Sequence, residues 1–121
     1  MNVLVVDDDP DIRELVTFKL EQMGHNVLTE KDGEGGLAAA LEHVPDLILL
    51  DVMMPKLTGI EVCQKLRDDP ATERVPVILI TAKAQEADVE RGFAAGADDY
   101  IVKPFSPREL ASRVEAVFAR Q

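Results

Sequence analysis

Residues 3–10 of the chain read VLVVDDDP. Four apolar, mostly β-branched residues run directly into three aspartates and a proline. A short apolar run of this kind is typical of a strand that is covered on both faces of a parallel sheet. Asp9 followed by Pro10 indicates the N-cap and the first residue of a helix. The stretch therefore predicts a buried strand, an acidic turn and a helix in immediate succession, which is how an α/β unit begins.

Four further short runs rich in aliphatic residues repeat this pattern along the chain. The five predicted strands cover residues 3–6, 27–29, 47–50, 77–80 and 100–102. Three of the runs are apolar throughout, as expected for strands with helices on both sides of the sheet. Helical patterns with apolar residues at 3.6-residue spacing follow each strand. Five strand–helix units with right-handed crossovers predict a doubly wound α/β domain.

Two of the predicted helices have weaker signals than the others. The second helix is expected to bury a stripe that consists of Leu37, Ala40, Leu41 and Val44. Gly35 and Gly36 should loosen this helix, because glycine is a poor helix former. The fourth helix has only a short stripe, formed by Val89 and Phe93.

The composition limits the class of protein. The chain has 121 residues, 46% of them hydrophobic, which suffices for one packed domain over residues 1–121. Its formal net charge of −10 should repel nucleic acid and anionic membranes, so we expect no direct nucleic-acid contact by this domain. No apolar run approaches the roughly 20 residues of a membrane span. The single Cys63 cannot form an internal disulfide, and together these features predict a cytoplasmic domain that does not bind membranes.

Polar residues stand at the carboxyl ends of four of the five predicted strands. Asp7 and Asp8 follow the first strand, and Asp51 follows the third. Thr81 follows the fourth strand, and Lys103 follows the fifth. Ligands of doubly wound sheets bind beyond the carboxyl ends of the strands. The sequence therefore predicts a functional site in which three carboxylates, a hydroxyl and an ammonium meet at one edge of the sheet.

The three carboxylates favour a metal site. Asp7, Asp8 and Asp51 would repel one another, so that either one of them stays protonated or a cation binds between them. Oxygen ligands on loops suit Mg²⁺, with Mn²⁺ as an alternative, and the backbone carbonyl of Met53 would complete the protein's share of ligands. An alternative is that Asp8 and Asp9 only cap the first helix, but capping does not explain Asp51.

Asp51 lies between apolar residues, where few other polar groups compete with it. A carboxylate beside Mg²⁺, facing a threonine hydroxyl and a lysine ammonium, is able to attack phosphorus and become an acyl phosphate. Thr81 and Lys103 would then neutralise the transferred phosphoryl oxygens. A cis peptide bond between Lys103 and Pro104 would turn the lysine inward, whereas the alternative is an ordinary proline near a helix start.

Five pieces of the sequence carry a resemblance to a known family. They are residues 5–8, 51–55 with Gly59, 80–82, 96–100 and 103–105. Together they resemble the receiver domain of bacterial two-component response regulators over essentially the full chain. The resemblance implies a flavodoxin-like five-stranded parallel sheet of order 2-1-3-4-5 with five helices.

The resemblance also implies a function for the acidic residues. Asp51 would accept a phosphoryl group from a phosphohistidine of a histidine kinase, with Mg²⁺ required. Asp8 and Asp51 would ligate the metal directly, Asp7 would do so through water, and Met53 would contribute its carbonyl. Lys103 would pair first with Asp51 and then with the phosphate. The chain is thus expected to be a signalling switch with its own phosphorylation and dephosphorylation chemistry rather than an enzyme.

A second group of residues would transmit the change. Thr81 would move to hydrogen-bond the phosphoryl oxygen, and Tyr100 would swing inward into the space that Thr81 leaves. Ala82 is small enough to leave room for the phosphodonor. Met53 and Lys83 offer neither an amide nor an acid to orient an attacking water, so we predict slow autodephosphorylation.

The resemblance implies an output face on the fourth helix, the fifth strand and the fifth helix. Its charged residues resemble the set with which receivers of transcription factors dimerise, namely Arg91, Asp98, Asp99, Glu109, Arg113 and Arg120. The alternative is an ordinary solvated charged face. Val89 departs from the family pattern, because a basic residue there commonly pairs with the acid at position 109. The implied partners are a histidine kinase, a downstream effector domain or protein, and a second copy of the phosphorylated chain.

Three alternative functions fit the sequence less well. A phosphatase of the haloacid-dehalogenase type would have a general acid two residues after the nucleophile, where this chain has Met53. A flavin-binding electron carrier would need a Ser/Thr/Gly-rich phosphate loop after the first strand, where this chain has three aspartates. A receiver-like scaffold that is never phosphorylated is disfavoured because Asp51, Thr81 and Lys103 are all present.

Overall fold

The structure, a computed structural model, describes residues 1–82 and 86–120 and consists of alternating strands and helices. The strands are β1 (Asn2–Val6), β2 (Asn26–Glu30), β3 (Leu47–Asp51), β4 (Val77–Thr81) and β5 (Asp99–Val102). The helices are α1 (Pro10–Gln22), α2 (Gly33–His43), α3 (Gly59–Asp68), α4 (Glu86–Ala94) and α5 (Pro107–Ala119). The predicted alternation of strands and helices is confirmed.

All strand pairs are parallel, and the order in the sheet is β2-β1-β3-β4-β5. This is the order that the resemblance implied. The three strands that contain the fully apolar runs, β1, β3 and β4, occupy the centre of the sheet, and β3 and β4 are buried at every residue. The edge strand β2 is only half covered, and its Leu28 is exposed.

The core has two layers, one on each face of the sheet. Residues along each strand alternate between the layers, so that Val3 and Val5 face one layer and Leu4 and Val6 the other. Helices α1 and α5 cover the first layer, and helices α2 and α3 cover the second. None of the described helices combines the length and the apolar character that crossing a bilayer requires.

The predicted stripe of α2 is wrong at two of its four positions. Leu41 and Val44 are exposed, and the buried face of the helix consists of Gly33, Gly36, Ala39 and Ala40. These small residues let α2 approach the sheet closely, since a Cβ atom on Gly36 would lie 2.7 Å from a Val6 methyl carbon. Gly36 therefore serves close packing, and α2 runs without a break through Gly35 and Gly36.

The stripe predicted for α4 is likewise wrong in part. Phe93 is 45% exposed, and it contacts the ring of Tyr100 edge-on, with 5.9 Å between the ring centroids. The helix is buried instead at Gly92, where a Cβ atom would lie 2.7 Å from a Leu79 methyl carbon. As in α2, a small residue allows the helix to approach the sheet, and the aromatic side chain is directed outward.

Candidate functional site

The carboxyl-terminal edge of the sheet brings the polar residues together, as the strand ends predicted. Asp51 is the last residue of β3, and Thr81 is the last residue of β4. Asp7 follows β1 directly, and Lys103 follows β5. The side chains of Asp7 and Asp51 are almost entirely buried, with residue exposures of 0% and 3%. Buried carboxylates need a cation or a proton, and this need determines the chemistry of the site.

Lys103 places its ammonium between the two buried carboxylates. Its Nζ atom lies 3.1 Å from Asp7 Oδ2 and 3.5 Å from Asp51 Oδ2. The backbone N–H of Lys103 donates a 2.7 Å hydrogen bond to the carbonyl of Thr81, which joins the ends of β4 and β5. The peptide bond between Lys103 and Pro104 is cis. The lysine is therefore held at the site by its backbone and by both acids.

The three carboxylates form a group of oxygen donors that suits a divalent cation. One oxygen from each of Asp7, Asp8 and Asp51 lies within 4.8 Å of the others. The N–H of Met53 donates to Asp51 Oδ1 at 3.2 Å, so the main chain of Met53 runs beside this carboxylate. Asp7 Oδ2 is buried and, apart from its ion pair with Lys103, has no hydrogen-bond partner among the described residues. An all-oxygen set of three carboxylates, of which two are buried, fits Mg²⁺.

The pKa of the Asp51 carboxyl is raised from 3.8 to about 7. Burial is the largest cause, and the charge of Asp7 adds to it, while the Lys103 ammonium acts in the opposite direction. For Lys103, burial alone would lower the pKa, but the hydrogen bond to Asp7 and the charge of Asp51 outweigh burial and raise it. The single positive charge of Lys103 thus does not balance the negative charges of Asp7 and Asp51. A bound cation would add positive charge and restore the ionised form of Asp51.

Asp9 has a different task from the other aspartates. Its side chain accepts a 2.9 Å hydrogen bond from the N–H of Asp11 and caps α1. Its own N–H donates to Asp7 Oδ1 at 2.9 Å, which helps to orient that carboxylate. The capping alternative is therefore correct for Asp9, whereas Asp8 belongs to the cluster of three carboxylates.

A cavity of about 430 Å³ lies beside the site, and Thr81 and Tyr100 both line it. Its lining is mostly apolar and includes Val52, Ile60 and Leu79. Thr81 is buried, and Tyr100 is half-buried. The cavity gives both side chains space into which they can move.

The residues predicted to influence phosphate lifetime and access differ in how the structure places them. Met53 is 67% exposed beside Asp51, and its side chain carries no group that orients water. Ala82 is exposed at the end of β4. Lys83 lies outside the described residues.

The charged residues of the predicted output face differ in their partners. Arg113 Nη1 lies 3.2 Å from Asp99 Oδ1, its Nη2 lies 4.0 Å from Glu109, and its guanidinium carbon lies 5.9 Å from the centroid of the Tyr100 ring. Arg91 and Arg120 are exposed, on α4 and at the end of α5. Asp98 is also exposed, but it pairs with Arg67 and not with Arg113.

Asp98 forms an ion pair with Arg67 of α3, with 3.0 Å between Arg67 Nη2 and Asp98 Oδ2. Arg67 was not among the functional residues predicted from the sequence. A basic residue in the last turn of a helix is common, because it complements the helix dipole. Lys65 lies in the same turn of α3, so the sequence gives no reason to prefer Arg67. Only the folded chain shows that Arg67, and not Lys65, reaches another segment.

Comparison with known proteins places this site in a family. Residues 3–115 match the family described as the response regulator receiver domain. The alkaline phosphatase synthesis transcriptional regulatory protein PhoP of Bacillus subtilis is 49% identical over 118 residues, covering 98% of this chain and 48% of PhoP. The DNA-binding dual master transcriptional regulator RpaA of Synechocystis is 47% identical, covering 98% of this chain and 49% of RpaA. The chain spans about half the length of these regulators.

Solved structures agree with the sequence comparison. The chemotaxis protein CheY4 of Vibrio cholerae superposes with a TM-score of 0.92 at 34% identity, covering 96% of this chain and 97% of CheY4. The response regulator DrrB of Thermotoga maritima, an OmpR/PhoB homolog, superposes with a TM-score of 0.89 at 39% identity, covering 98% of this chain and 52% of DrrB. The chain therefore belongs to the response regulator receiver domain family, whose members are signalling proteins.

Proposed function

We propose that Asp51 is the phosphoacceptor of the domain and takes a phosphoryl group from a phosphohistidine of a histidine kinase. The observation that carries the proposal is the position of its buried carboxylate, which lies 3.5 Å from Lys103 and in one cluster with Asp7 and Asp8. A carboxylate oxygen of Asp51 would attack phosphorus, the P–N bond would break, and its electron pair would leave with the imidazole. The product is an acyl phosphate on Asp51.

The neighbouring residues would serve this transfer by holding charge and position. Asp8 and Asp51, the Met53 carbonyl and, through water, Asp7 would hold Mg²⁺, or Mn²⁺ in its place. The metal supplies positive charge that keeps Asp51 ionised and offsets the charge of the phosphoryl oxygens. Lys103 would turn from Asp51 to a phosphoryl oxygen, and the Thr81 hydroxyl would donate to another. Ala82 leaves the approach to Asp51 open for the donor.

The output would pass through the face formed by α4, β5 and α5. Movement of Thr81 toward the phosphate would free space for Tyr100, which borders the same cavity. The change would reach an effector domain or protein, since relatives of this chain are transcriptional regulators and are about twice as long. We further propose that the domain acts in the cytoplasm, makes no direct nucleic-acid contact, and forms a homodimer when it is phosphorylated.

The phosphorylated state should be long-lived. Met53 is exposed next to Asp51 and offers no amide or acid to align a water molecule for attack. The same residue stands where a phosphatase that uses an aspartate nucleophile would need its general acid. We therefore expect slow autodephosphorylation and no sustained turnover of simple phosphate esters.

The experiment that tests the proposal is phosphorylation with acetyl phosphate in the presence of Mg²⁺, followed by intact-mass measurement. We expect one phosphoryl adduct on the native chain, and none on Asp51→Asn or when a chelator removes the metal. The matched control is Asp46→Asn, which removes a carboxylate from the opposite end of β3 and should leave the adduct intact. A folded native chain that gains no adduct would refute the proposal.

A further inference from the structure

Arg67 connects three segments of the chain that are distant in sequence. Its Nε atom donates to the carbonyl of Gly96 at 2.9 Å, and its Nη2 atom lies 3.0 Å from Asp98 Oδ2. Its Nη1 atom donates to the carbonyl of Val75 at 2.6 Å and to that of Glu73 at 3.2 Å. The side chain is only 21% exposed, so these bonds are largely shielded from water. The end of α3 is thereby joined to the segment before β4 and to the segment between α4 and β5.

The segment between α4 and β5 is shaped to receive this arginine. Gly96 has a φ of +101°, which glycine adopts more readily than other residues. A Cβ atom at this position would lie 2.7 Å from Arg67 Cγ, so the close contact with Arg67 also requires glycine. One turn earlier in α3, the Cys63 thiol donates to the carbonyl of Ala95 at 3.4 Å. The Asp98 Oδ2 atom that pairs with Arg67 also accepts a 2.8 Å hydrogen bond from the N–H of Val77. We call this group, Cys63, Arg67, Ala95, Gly96 and Asp98, the α3 anchor.

The part of α4 that faces the phosphoacceptor side is packed differently. Val89 and Phe93 line the cavity of about 430 Å³ together with Ile60 and Thr81. The chain is thus bonded to α3 just beyond the C-terminal end of α4, and the cavity borders the helix at Val89, Gly92 and Phe93. A connection that is fixed in this way can serve as a pivot when the helix moves.

We propose that Arg67 is the positioning residue of the output face: it fixes the α4–β5 connection to α3, so that phosphorylation of Asp51 acts by turning α4 about the α3 anchor. This inference rests on the proposed function of Asp51. It also gives Asp98 a task within the domain, as the partner of Arg67. No contact joins Arg67 to Asp7, Asp8 or Asp51 among the described residues.

Only arginine satisfies this geometry. The planar guanidinium offers five N–H donors in a fixed arrangement, and here it serves four carbonyls and one carboxylate at once. Lysine has a single nitrogen and would leave several of these acceptors without a partner, which is costly where water is largely excluded. Arg67→Lys should therefore behave like a loss of the anchor rather than like a conservative change.

Tyr100 makes a direct test feasible, because the chain contains one tyrosine and no tryptophan. Tyrosine fluorescence therefore reports from the output face alone. The test compares the native chain with Arg67→Met, which keeps the aliphatic stem, and with Asp98→Asn, which keeps an acceptor for the N–H of Val77. Arg74→Met is the matched control, since Arg74 is exposed and has no hydrogen bond or ion pair among the described residues.

Each protein is treated with acetyl phosphate and Mg²⁺, and the adduct mass and the change in Tyr100 fluorescence are recorded on the same sample. We expect equal adduct in all four proteins and a fluorescence change that is at least twofold smaller in Arg67→Met and Asp98→Asn, with Arg74→Met unaffected. In the unphosphorylated state, amide exchange at residues 95–98 should be at least tenfold faster in Arg67→Met.

The outcomes separate the two proposals. A native chain without an adduct would overturn the proposed function and this inference with it. Adducts with the full fluorescence change in Arg67→Met, or no change even in the native chain, would overturn only the inference. Should circular dichroism show that Arg67→Met is unfolded at the assay temperature, Asp98→Asn decides, and a full response in that variant would refute the anchor.

Discussion

At the scale of single residues, the unusual property of the site is the raised pKa of Asp51. Burial and the charge of Asp7 raise it from 3.8 to about 7, so the folded chain holds a proton that the unfolded chain releases at lower pH. The free energy of unfolding therefore falls as the pH rises from about 4 to about 7, because the carboxyl must then ionise in a place that disfavours its charge. One pKa unit corresponds to roughly 1.4 kcal/mol, so the loss is on the order of 2–4 kcal/mol.

Asp51→Asn should therefore stabilise the metal-free protein. The amide keeps the shape of the carboxyl and the acceptor for the N–H of Met53, but it carries no charge. We expect the midpoint of thermal unfolding to rise by several degrees at pH 8 and by much less at pH 5. Calorimetry in chelator at the two pH values measures this difference. An equal or lower midpoint at pH 8 would show that the buried charge costs little.

The same excess of negative charge predicts how the protein responds to metal. The proposed Mg²⁺ site exists only in the folded chain, so Mg²⁺ should raise the unfolding midpoint in a concentration-dependent way. Asp8→Asn removes a proposed ligand that is exposed, and this variant should fold normally but lose most of the Mg²⁺ response. Asp11→Asn is the matched control on the neighbouring turn. A response that survives in Asp8→Asn would place the metal elsewhere.

At the scale of secondary-structure elements, the end of α2 contains a removable strain. Its C-cap residue Val44 has a φ of 41° and a ψ of 71°, in the left-handed region that β-branched residues avoid. The side chain is 46% exposed and buries little apolar surface in return. Glycine adopts this conformation without strain and is the usual residue just past a helix.

Val44→Gly should thus raise the free energy of unfolding by about 0.5–1 kcal/mol, the strain released less the greater freedom of glycine in the unfolded chain. Urea unfolding at pH 5 and pH 8 should give the same gain, since Val44 has no charge. Val44→Ala removes the branched side chain without relieving the positive φ, and it serves as the control. A gain in Val44→Ala as large as in Val44→Gly would show that the strain lies in the side chain.

At the scale of the whole molecule, the charges of the output face bear on self-association. Asp99 and Arg113 already form an ion pair within one chain, and Val89 brings no charge to meet Glu109. We therefore expect a phosphorylation-promoted homodimer that is weak and salt-sensitive, because exposed ion pairs are screened. Sedimentation should show a dimer of the phosphorylated chain at low salt that dissociates in about 0.5 M salt. A salt-resistant dimer would point to an apolar interface instead.

The fold and the centre of the site were predictable because they depend on features that a sequence displays directly. Fully apolar runs mark the central strands β1, β3 and β4, and the residue after each such run lies at the functional edge of the sheet. Side chains that depend on packing were harder to predict. Gly36 packs against the sheet, whereas Leu41 and Phe93, which were expected to be buried, are exposed. Close approach of a helix to the sheet favours small residues over large apolar ones.

Arg67 shows a different limit of prediction. Its partners are backbone carbonyls, which every residue possesses, so no pairing of residue types in the sequence marks the contact. Such contacts become visible only when the path of the chain is known. The charged residues around Arg113 had a signal in the sequence, but the pairing of Asp98 with Arg67 had none.

The joining of the first and last strands to one site has a consequence for biosynthesis. Asp7 lies near the start of the chain, and the lysine that neutralises it follows β5, the last strand to be made. A nascent chain that has emerged only as far as β4 holds the three carboxylates without their internal cation. The internal counter-charge of the site is therefore complete only once Lys103 has emerged, which ties the electrostatic balance of the first strand to the synthesis of the last.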